Sequence, residues 1–306
     1  MNYPGISRNI SDLIGKTPMI RINKLTGPKD ASIYAKLEMF NIGGSVKDRA
    51  ALNLIEFAEA SGILTRDKTI VEATSGNTGI ALAMIGAYKG YKVTIIMSES
   101  ASIERRKIIK AYGAELLLTP GDKGTAGAIQ LKEKLVAENP EKYVPMDQFS
   151  NPANILAHYT GTANEIIEQM DGRIDMVVMT VGTGGTSSGI ALRMREFNPA
   201  IRIIGVTPAL GVKIQGIRNP GEPNPSKLVR LDYFDEFIEL DEAMKQASFE
   251  TGRLAASKEG LLLGQSSACA LHIALKKAEE LGHGKNIVAI FPDNGFKYLS
   301  TDLFQE

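Results

Sequence analysis

The chain has 306 residues, of which 35 are basic, 35 are acidic and 43% are hydrophobic. A chain of this length exceeds most single-core domains, so we predict two lobes. The balanced charge creates no net field that would recruit nucleic acid or an acidic membrane. No apolar run approaches the roughly 18 residues that a membrane span needs. Residues 1–8 lack the apolar segment of a signal peptide, so a cytoplasmic protein is expected.

Apolar runs of strand length alternate with helical patterns along the chain. In the first half, the predicted elements are the strand 34–37, the helix 48–60, the strand 69–71, the helix 78–88, the strand 92–97, the helix 102–112, the strand 115–119 and the helix 124–138. The alternation resumes after Asn151. This repeat is typical of mostly parallel sheets with helices on both faces, so the predicted fold class is α/β.

Lys47 is the first candidate for chemistry. It lies between a strand-like run at 32–37 and an amphipathic helical run that opens at Asp48. The positive end of a helix dipole favours the neutral amine of a nearby lysine, and a Schiff-base-forming lysine needs that state. A lysine at a helix start is usually a solvated surface residue, so this interpretation depends on two loops further along the chain.

Both loops are rich in glycine and threonine, and each connects an apolar strand-like run to a helical run. The first loop covers residues 74–79 and the second covers residues 182–186. Free N–H groups at a helix start, together with hydroxyl donors, stabilise a bound carboxylate or phosphate. For one such loop alone, an ordinary capped turn is an equal alternative. Two loops and a lysine together favour a phosphorylated cofactor bound through a Schiff base.

A nicotinamide-binding site is not favoured. Its fingerprint requires a third glycine where this chain has Ser187. The fingerprint also requires an acidic residue after the next strand, whereas the run 201–206 ends at Thr207 without a carboxylate.

Six segments together carry a family resemblance. They are residues 14–18, 44–52, 72–84, 147–149, 182–186 and 297–301. In this order they resemble the fold-type II pyridoxal-phosphate enzymes of the cysteine synthase and cystathionine β-synthase family, and most of all the O-acetylserine sulfhydrylase B type. The resemblance implies a smaller lobe at 39–149, a larger lobe made of 1–38 and 150–306, and pyridoxal 5'-phosphate in the cleft between them. It also implies that the N-terminal strand joins the larger lobe.

The resemblance implies a role for each matching residue. Lys47 would form the Schiff base, Asn77 would bind the 3-hydroxyl of the cofactor, and Ser266 would face the pyridine nitrogen. The cofactor phosphate would lie in a cup formed by Gly182, Thr183, Gly184, Gly185 and Thr186. The carboxylate of the substrate would bind at Thr74, Ser75, Gly76, Thr78 and Gln148.

The implied reaction is β-replacement through an aminoacrylate intermediate in cysteine metabolism, with an amino-acid substrate and a sulfur or oxygen nucleophile. A neutral hydroxyl at Ser266 leaves the ring a weaker electron acceptor than an aspartate would, which favours elimination. The activity that the resemblance favours is that of a cysteine synthase, which makes cysteine and acetate from O-acetylserine and sulfide. The alternatives are a cysteine lyase that releases hydrogen sulfide with serine or lanthionine as product, and an O-phosphoserine sulfhydrylase.

The chain departs from its relatives in the stretch 216–225, which is rich in proline and charge. Arg218 is a candidate to bind the phosphate of O-phosphoserine, and a surface arginine packed on Glu222 is the alternative. Asp232 is a candidate to activate water, and a solvated loop carboxylate is the alternative.

Two other classes of protein stay open. A non-catalytic relative would bind a partner peptide at the loop 74–79, but it would have no need of Lys47. A serine or threonine dehydratase would share the fold, although the segment 74–84 is closer to the sulfhydrylases. No metal site is predicted, because the three histidines lack ligand spacing. A homodimer is expected, since the family is usually dimeric.

Overall fold

The computed structural model describes residues 5–74, 76–222 and 225–304. Its strands are β1 (Met19–Arg21), β2 (Ser32–Leu37), β3 (Thr69–Ala73), β4 (Lys92–Ser98), β5 (Glu115–Thr119), β6 (Tyr143–Pro145), β7 (Met176–Thr180), β8 (Arg202–Pro208), β9 (Glu236–Leu240) and β10 (Asn286–Phe291). Its α-helices are α1 (Lys47–Ala60), α2 (Asn77–Lys89), α3 (Ile103–Ala111), α4 (Gly124–Glu138), α5 (Ala153–Ala157), α6 (Ala163–Gln169), α7 (Gly185–Phe197), α8 (Glu242–Leu254) and α9 (Gln265–Leu281). A π-helical turn, His158–Thr162, joins α5 to α6.

The strands form two sheets. A four-stranded sheet has the order β5-β4-β3-β6 and is parallel throughout. A six-stranded sheet has the order β1-β2-β10-β7-β8-β9, in which β1 runs antiparallel to β2 and the other pairs are parallel. The α/β class and the two lobes are therefore confirmed. The N-terminal strands β1 and β2 belong to the larger sheet, as the resemblance implied, while the boundaries at 39 and 149 stay a prediction.

The larger sheet is covered on both faces. Along β10, Ile287 and Ala289 pack into one hydrophobic cluster, while Val288 and Ile290 pack into another. Alternate residues of a strand point to opposite faces, so apolar residues at successive positions require a layer of helices on each side. The continuous apolar runs in the sequence reflect this packing. Among the described residues, no helix is long and apolar enough to cross a membrane.

A buried ionic network fixes the first turn of α1. Arg49 Nε donates to Glu38 Oε2 at 2.7 Å, and Arg49 Nη1 donates to Glu165 Oε1 at 2.6 Å. Lys36 Nζ donates to Glu165 Oε2 at 2.8 Å. Removing one partner of such a buried pair leaves an uncompensated charge and costs about 3–5 kcal/mol. Because α6 carries Glu165 and β2 carries Lys36, the network holds the start of α1 against the larger lobe.

Candidate active site

Lys47 is the first residue of α1. Among the described residues, no hydrogen bond or ion pair engages its Nζ. Part of the side chain is accessible, but protein atoms surround it closely, and burial lowers the pKa of Lys47 to about 8, with the charge of Asp293 acting in the opposite direction. The amine is therefore unpaired and closer to neutrality at physiological pH than that of an ordinary lysine.

Lys47 lines an open cavity between the two lobes, where the space free of protein atoms, open solvent included, is about 380 Å³. The cavity is lined by Lys47 and Val46 from the start of α1, by the loop after β7 and by residues at the ends of β7 and β10. The arrangement follows the rule that ligands of parallel sheets bind at the carboxyl ends of the strands.

The loop 182–186 forms one wall of this cavity. Gly182, Thr183, Gly184 and Thr186 line it, and Gly185 is the first residue of α7. Gly184 has φ +87°, and a Cβ atom there would lie 2.7 Å from the backbone nitrogen of Val229. A side chain at this position would therefore collide with the neighbouring loop. Backbone N–H groups at the start of α7 are left free to bind an anion.

Both threonines of the loop have partners outside it. Thr183 Oγ1 accepts a hydrogen bond from Asn154 Nδ2 at 3.3 Å, and Thr186 Oγ1 lies 3.1 Å from His158 Nε2. His158 is fully buried, and burial lowers its pKa well below its usual range, so the ring is neutral. The two side chains are thereby held in place at the wall of the cavity.

The segment 74–79, which is predicted to bind an anion, follows β3 and runs into the start of α2. Thr74 and Gly76 are buried, and Thr74 Oγ1 accepts a hydrogen bond from the N–H of Gly76 at 3.2 Å. Thr78 Oγ1 donates to Gln148 Oε1 at 2.6 Å, so the predicted carboxylate-binding residues Thr78 and Gln148 meet although 70 positions separate them. Ser75, which was assigned to the same role, lies outside the described residues.

Asn77 and Ser266 are at the starts of two helices. Asn77 opens α2, and its Nδ2 donates to Asp293 Oδ2 at 2.7 Å. Its Oδ1 is buried without a partner among the described residues. Ser266 lies in the first turn of α9, and its Oγ is 3.5 Å from the position that a Cβ atom on Gly216 would occupy. Gly216 lines the cavity, so Ser266 adjoins the same space.

Arg218 lies close to the cavity but is engaged. Its backbone N–H donates to the carbonyl of Val181, and its Nε donates to Glu222 Oε2 at 2.9 Å. The guanidinium carbon is 5.7 Å from the centre of the Phe149 ring. The structure thus contains the contact with Glu222 that the sequence offered as the alternative. A role of Arg218 in binding phosphate stays a prediction.

Asp232 is on the surface, with 61% of its side chain exposed. It forms an ion pair with Arg230 at 3.2 Å and does not line the cavity described above. The hydrogen bond from Arg230 lowers the pKa of the Asp232 carboxyl, which is therefore a weaker base than an unpaired aspartate. A role of Asp232 in activating water stays a prediction.

Three residues near the site carry no signal in the sequence that points to it. Asp293 contacts Asn77, His158 contacts Thr186, and Arg105 packs its guanidinium 4.7 Å from the centre of the Tyr298 ring. Each contacts a residue far away in the sequence, and none belongs to the two glycine-rich loops. The segment 297–301 was noted only as part of the resemblance.

The comparisons with known proteins agree on one family. Residues 10–293 match the family model described as pyridoxal-phosphate dependent enzyme. A cysteine synthase of Staphylococcus aureus is 42% identical over 308 residues, covering 97% of this chain and 96% of that protein. The chain belongs to the family of pyridoxal-phosphate dependent enzymes.

Solved structures extend the likeness to the fold. A cysteine synthase from Entamoeba histolytica is 42% identical, with a TM-score of 0.91 over 99% of this chain and 93% of that one. A hydrogen sulfide-producing enzyme from Fusobacterium nucleatum is 38% identical, with a TM-score of 0.90 over 96% of this chain and 100% of that one.

The residues present fit pyridoxal phosphate. The unpaired amine of Lys47 suits its aldehyde, and the start of α7 suits its phosphate. The buried Oδ1 of the half-buried Asn77 has no partner among the described residues, so this atom has hydrogen-bonding capacity left for a ligand. The enzyme therefore uses pyridoxal phosphate and acts on small amino-acid substrates.

Proposed function

We propose that this enzyme catalyses β-replacement in cysteine metabolism, joining sulfide to the β-carbon of O-acetylserine and releasing acetate. The observation that carries the proposal is the unpaired Lys47 amine, with a pKa of about 8, in a cavity bordered by an anion-binding loop and by the neutral Ser266. A carboxylate in place of Ser266 would favour other cofactor chemistry.

The cofactor-binding roles are part of the proposal. Lys47 would hold the cofactor covalently, Asn77 its 3-hydroxyl, the loop 182–186 its phosphate and Ser266 its ring nitrogen. Pyridoxal phosphate, when bound, supplies an electron sink for negative charge at the α-carbon of the substrate. The protein supplies position, donors and one mobile proton.

Lys47 carries that proton. Thr74, Thr78 and Gln148, with Ser75 and Gly76, would hold the carboxylate of the substrate through hydroxyl, amide and backbone N–H donors. Released from its covalent bond, the neutral amine of Lys47 would take the α-proton while the β-carbon–oxygen bond breaks and acetate leaves. Sulfide then forms the new bond to the β-carbon, and Lys47 returns the proton to the α-carbon. The net change is O-acetylserine and hydrosulfide to cysteine and acetate.

Two alternatives use the same site. The likeness to a hydrogen sulfide-producing enzyme supports cysteine as a substrate, with sulfide as the leaving group and water or a thiol as the nucleophile. An O-phosphoserine donor would require Arg218, whose Nε is already bonded to Glu222. That ion pair favours the uncharged acetyl donor. A homodimer is also proposed, in keeping with the exposed apolar side chains of Phe40, Phe57 and Leu156.

A substrate panel tests the proposal. The purified enzyme with bound cofactor would be given O-acetylserine with sulfide, O-phosphoserine with sulfide, and cysteine alone, and the amino-acid products would be identified. We expect cysteine from the first mixture at the highest kcat/KM. Lys47→Ala should form no product above the uncatalysed rate. The enzyme would instead be a lyase if it made sulfide and serine or lanthionine from cysteine alone and formed no cysteine from O-acetylserine.

A further inference from the structure

Asp293 is a fully buried carboxylate next to the proposed active site. It follows β10 by two residues and forms an isolated bridge with Ser45, two residues before Lys47. The N–H of Val46 donates to the carbonyl of Pro292 at 2.8 Å. The backbone of this turn is therefore fastened to the turn that carries Lys47.

The side chain of Asp293 is fixed from several directions. Its Oδ2 accepts hydrogen bonds from Asn77 Nδ2 and from the Tyr298 hydroxyl, both at 2.7 Å. Burial raises the pKa of Tyr298 above its usual range, so this hydroxyl stays protonated and donates. Lys297 Nζ lies 3.9 Å from the same oxygen. Asp293 therefore provides a buried acceptor with a cation nearby.

The neighbouring backbone is built around this carboxylate. Ser267 Oγ donates to the backbone carbonyl of Asp293 at 2.8 Å, next to Ser266 in the first turn of α9. A Cβ atom on Gly264 would lie 2.1 Å from Asp293 Oδ1, so only glycine leaves room for the carboxylate. The position of Asp293 is thus set by the turn that follows β10 and by the start of α9.

This contact determines how the Asn77 amide is turned. An aspartate that accepts two hydrogen bonds would repel the amide oxygen of Asn77 if the amide were reversed. Asn77 must therefore direct Nδ2 to Asp293, which leaves its second N–H and its Oδ1 for a ligand. The buried Oδ1 has no partner among the described residues, so this capacity is unused by the protein.

We propose that Asp293 is a positioning residue that locks the Asn77 carboxamide in the orientation required to bind the 3-hydroxyl of the cofactor. The inference rests on the cofactor role proposed for Asn77. Asp293 takes part in no covalent step, and the loss of cofactor affinity that follows from removing its hydrogen bond to Asn77 should disappear when Asn77 is absent. That dependence distinguishes it from a carboxylate that merely stabilises the fold.

A double-mutant cycle tests this dependence. The dissociation constant of pyridoxal phosphate would be measured for the wild type, Asp293→Ala, Asn77→Ala and the double variant, together with the circular dichroism that the protein induces in the bound cofactor. We expect Asp293→Ala to raise the dissociation constant roughly tenfold, the scale of one lost hydrogen bond to a charged group, and to weaken the induced signal. The double variant should bind no more weakly than Asn77→Ala.

Two further variants keep the test sharp. Asp293→Asn should retain most of the affinity, because its amide oxygen can accept the same two hydrogen bonds. Asp293→Leu fills similar volume without accepting them, and it replaces Asp293→Ala in the cycle if the alanine variant does not fold. Additive losses in the cycle, or an undiminished affinity of the variants that cannot accept these bonds, would overturn the role of Asp293 alone. Undiminished affinity of Asn77→Ala would overturn the proposed cofactor role of Asn77, and this inference with it.

Discussion

The pKa of Lys47 makes a quantitative prediction for how fast the cofactor-free protein takes up pyridoxal phosphate. Burial lowers this pKa from 10.5 to about 8. At pH 7, roughly a tenth of the Lys47 amine is then neutral, about 300-fold more than for an ordinary lysine. Since only the neutral amine attacks an aldehyde, uptake should follow this fraction.

The lowered pKa of Lys47 also predicts how the rate of cofactor uptake changes with pH. Uptake should rise about eightfold between pH 6.5 and 7.5, but only about 1.3-fold between pH 8.5 and 9.5, because most of the amine is already neutral. The appearance of the visible absorption band would be followed after mixing, with N-acetyl-lysine amide as a control for titration of the cofactor itself. Asp293→Asn should move the midpoint to lower pH, because the charge that raises the pKa of Lys47 is lost. An equally steep rise in both intervals would show that the Lys47 amine keeps the titration range of an ordinary lysine.

Three further predictions concern Gly184 in the wall of the cavity, Arg218 in the stretch 216–225, and Asp232. Gly184→Ala should weaken cofactor binding far more than Gly211→Ala. The two glycines have nearly the same φ, +87° and +89°, but only at Gly184 would the added Cβ atom lie 2.7 Å from a backbone atom. Equal affinities of the two variants would contradict this. If Arg218 binds phosphate, Arg218→Ala should raise KM for O-phosphoserine by roughly 10- to 150-fold and leave KM for O-acetylserine nearly unchanged; parallel changes would exclude that role. If Asp232 activates water, Asp232→Asn should abolish serine formation from cysteine, whereas Asp171→Asn, which alters a similarly exposed ion pair, should not; serine from both would exclude it.

The alternation of strands and helices was predictable because each element carries its own apolar pattern. The predicted strand 115–119 and helix 124–138 coincide with β5 (Glu115–Thr119) and α4 (Gly124–Glu138). The strand predicted at 69–71 continues to Ala73 in the structure. Its last two residues were not predicted because Glu72 is charged and interrupts the apolar run, although it is buried in β3. The helix α7 begins at Gly185, inside the loop 182–186 of the sequence pattern, because glycine and small polar residues in its first turn carry no helical signal.

Local composition marks the two glycine-rich loops as candidate anion sites, and residues of the loop 182–186 do line the cavity. Asp293 was not predictable, because an aspartate in a Pro-Asp-Asn-Gly stretch reads as an ordinary turn residue. Its partner Asn77 is 216 positions away. The ionic network around Arg49 was missed for the same reason: charges in sequence give no sign of burial until the fold brings their partners together.

Lys47 is the residue proposed to hold the cofactor in the cavity between the lobes. The most direct measurement is to reduce the purified, cofactor-loaded enzyme with borohydride, digest it and locate the modified peptide by mass spectrometry. We expect one pyridoxyl group, on Lys47, and none in Lys47→Ala treated in the same way. A stoichiometric label on another residue, with Lys47 unmodified, would contradict it.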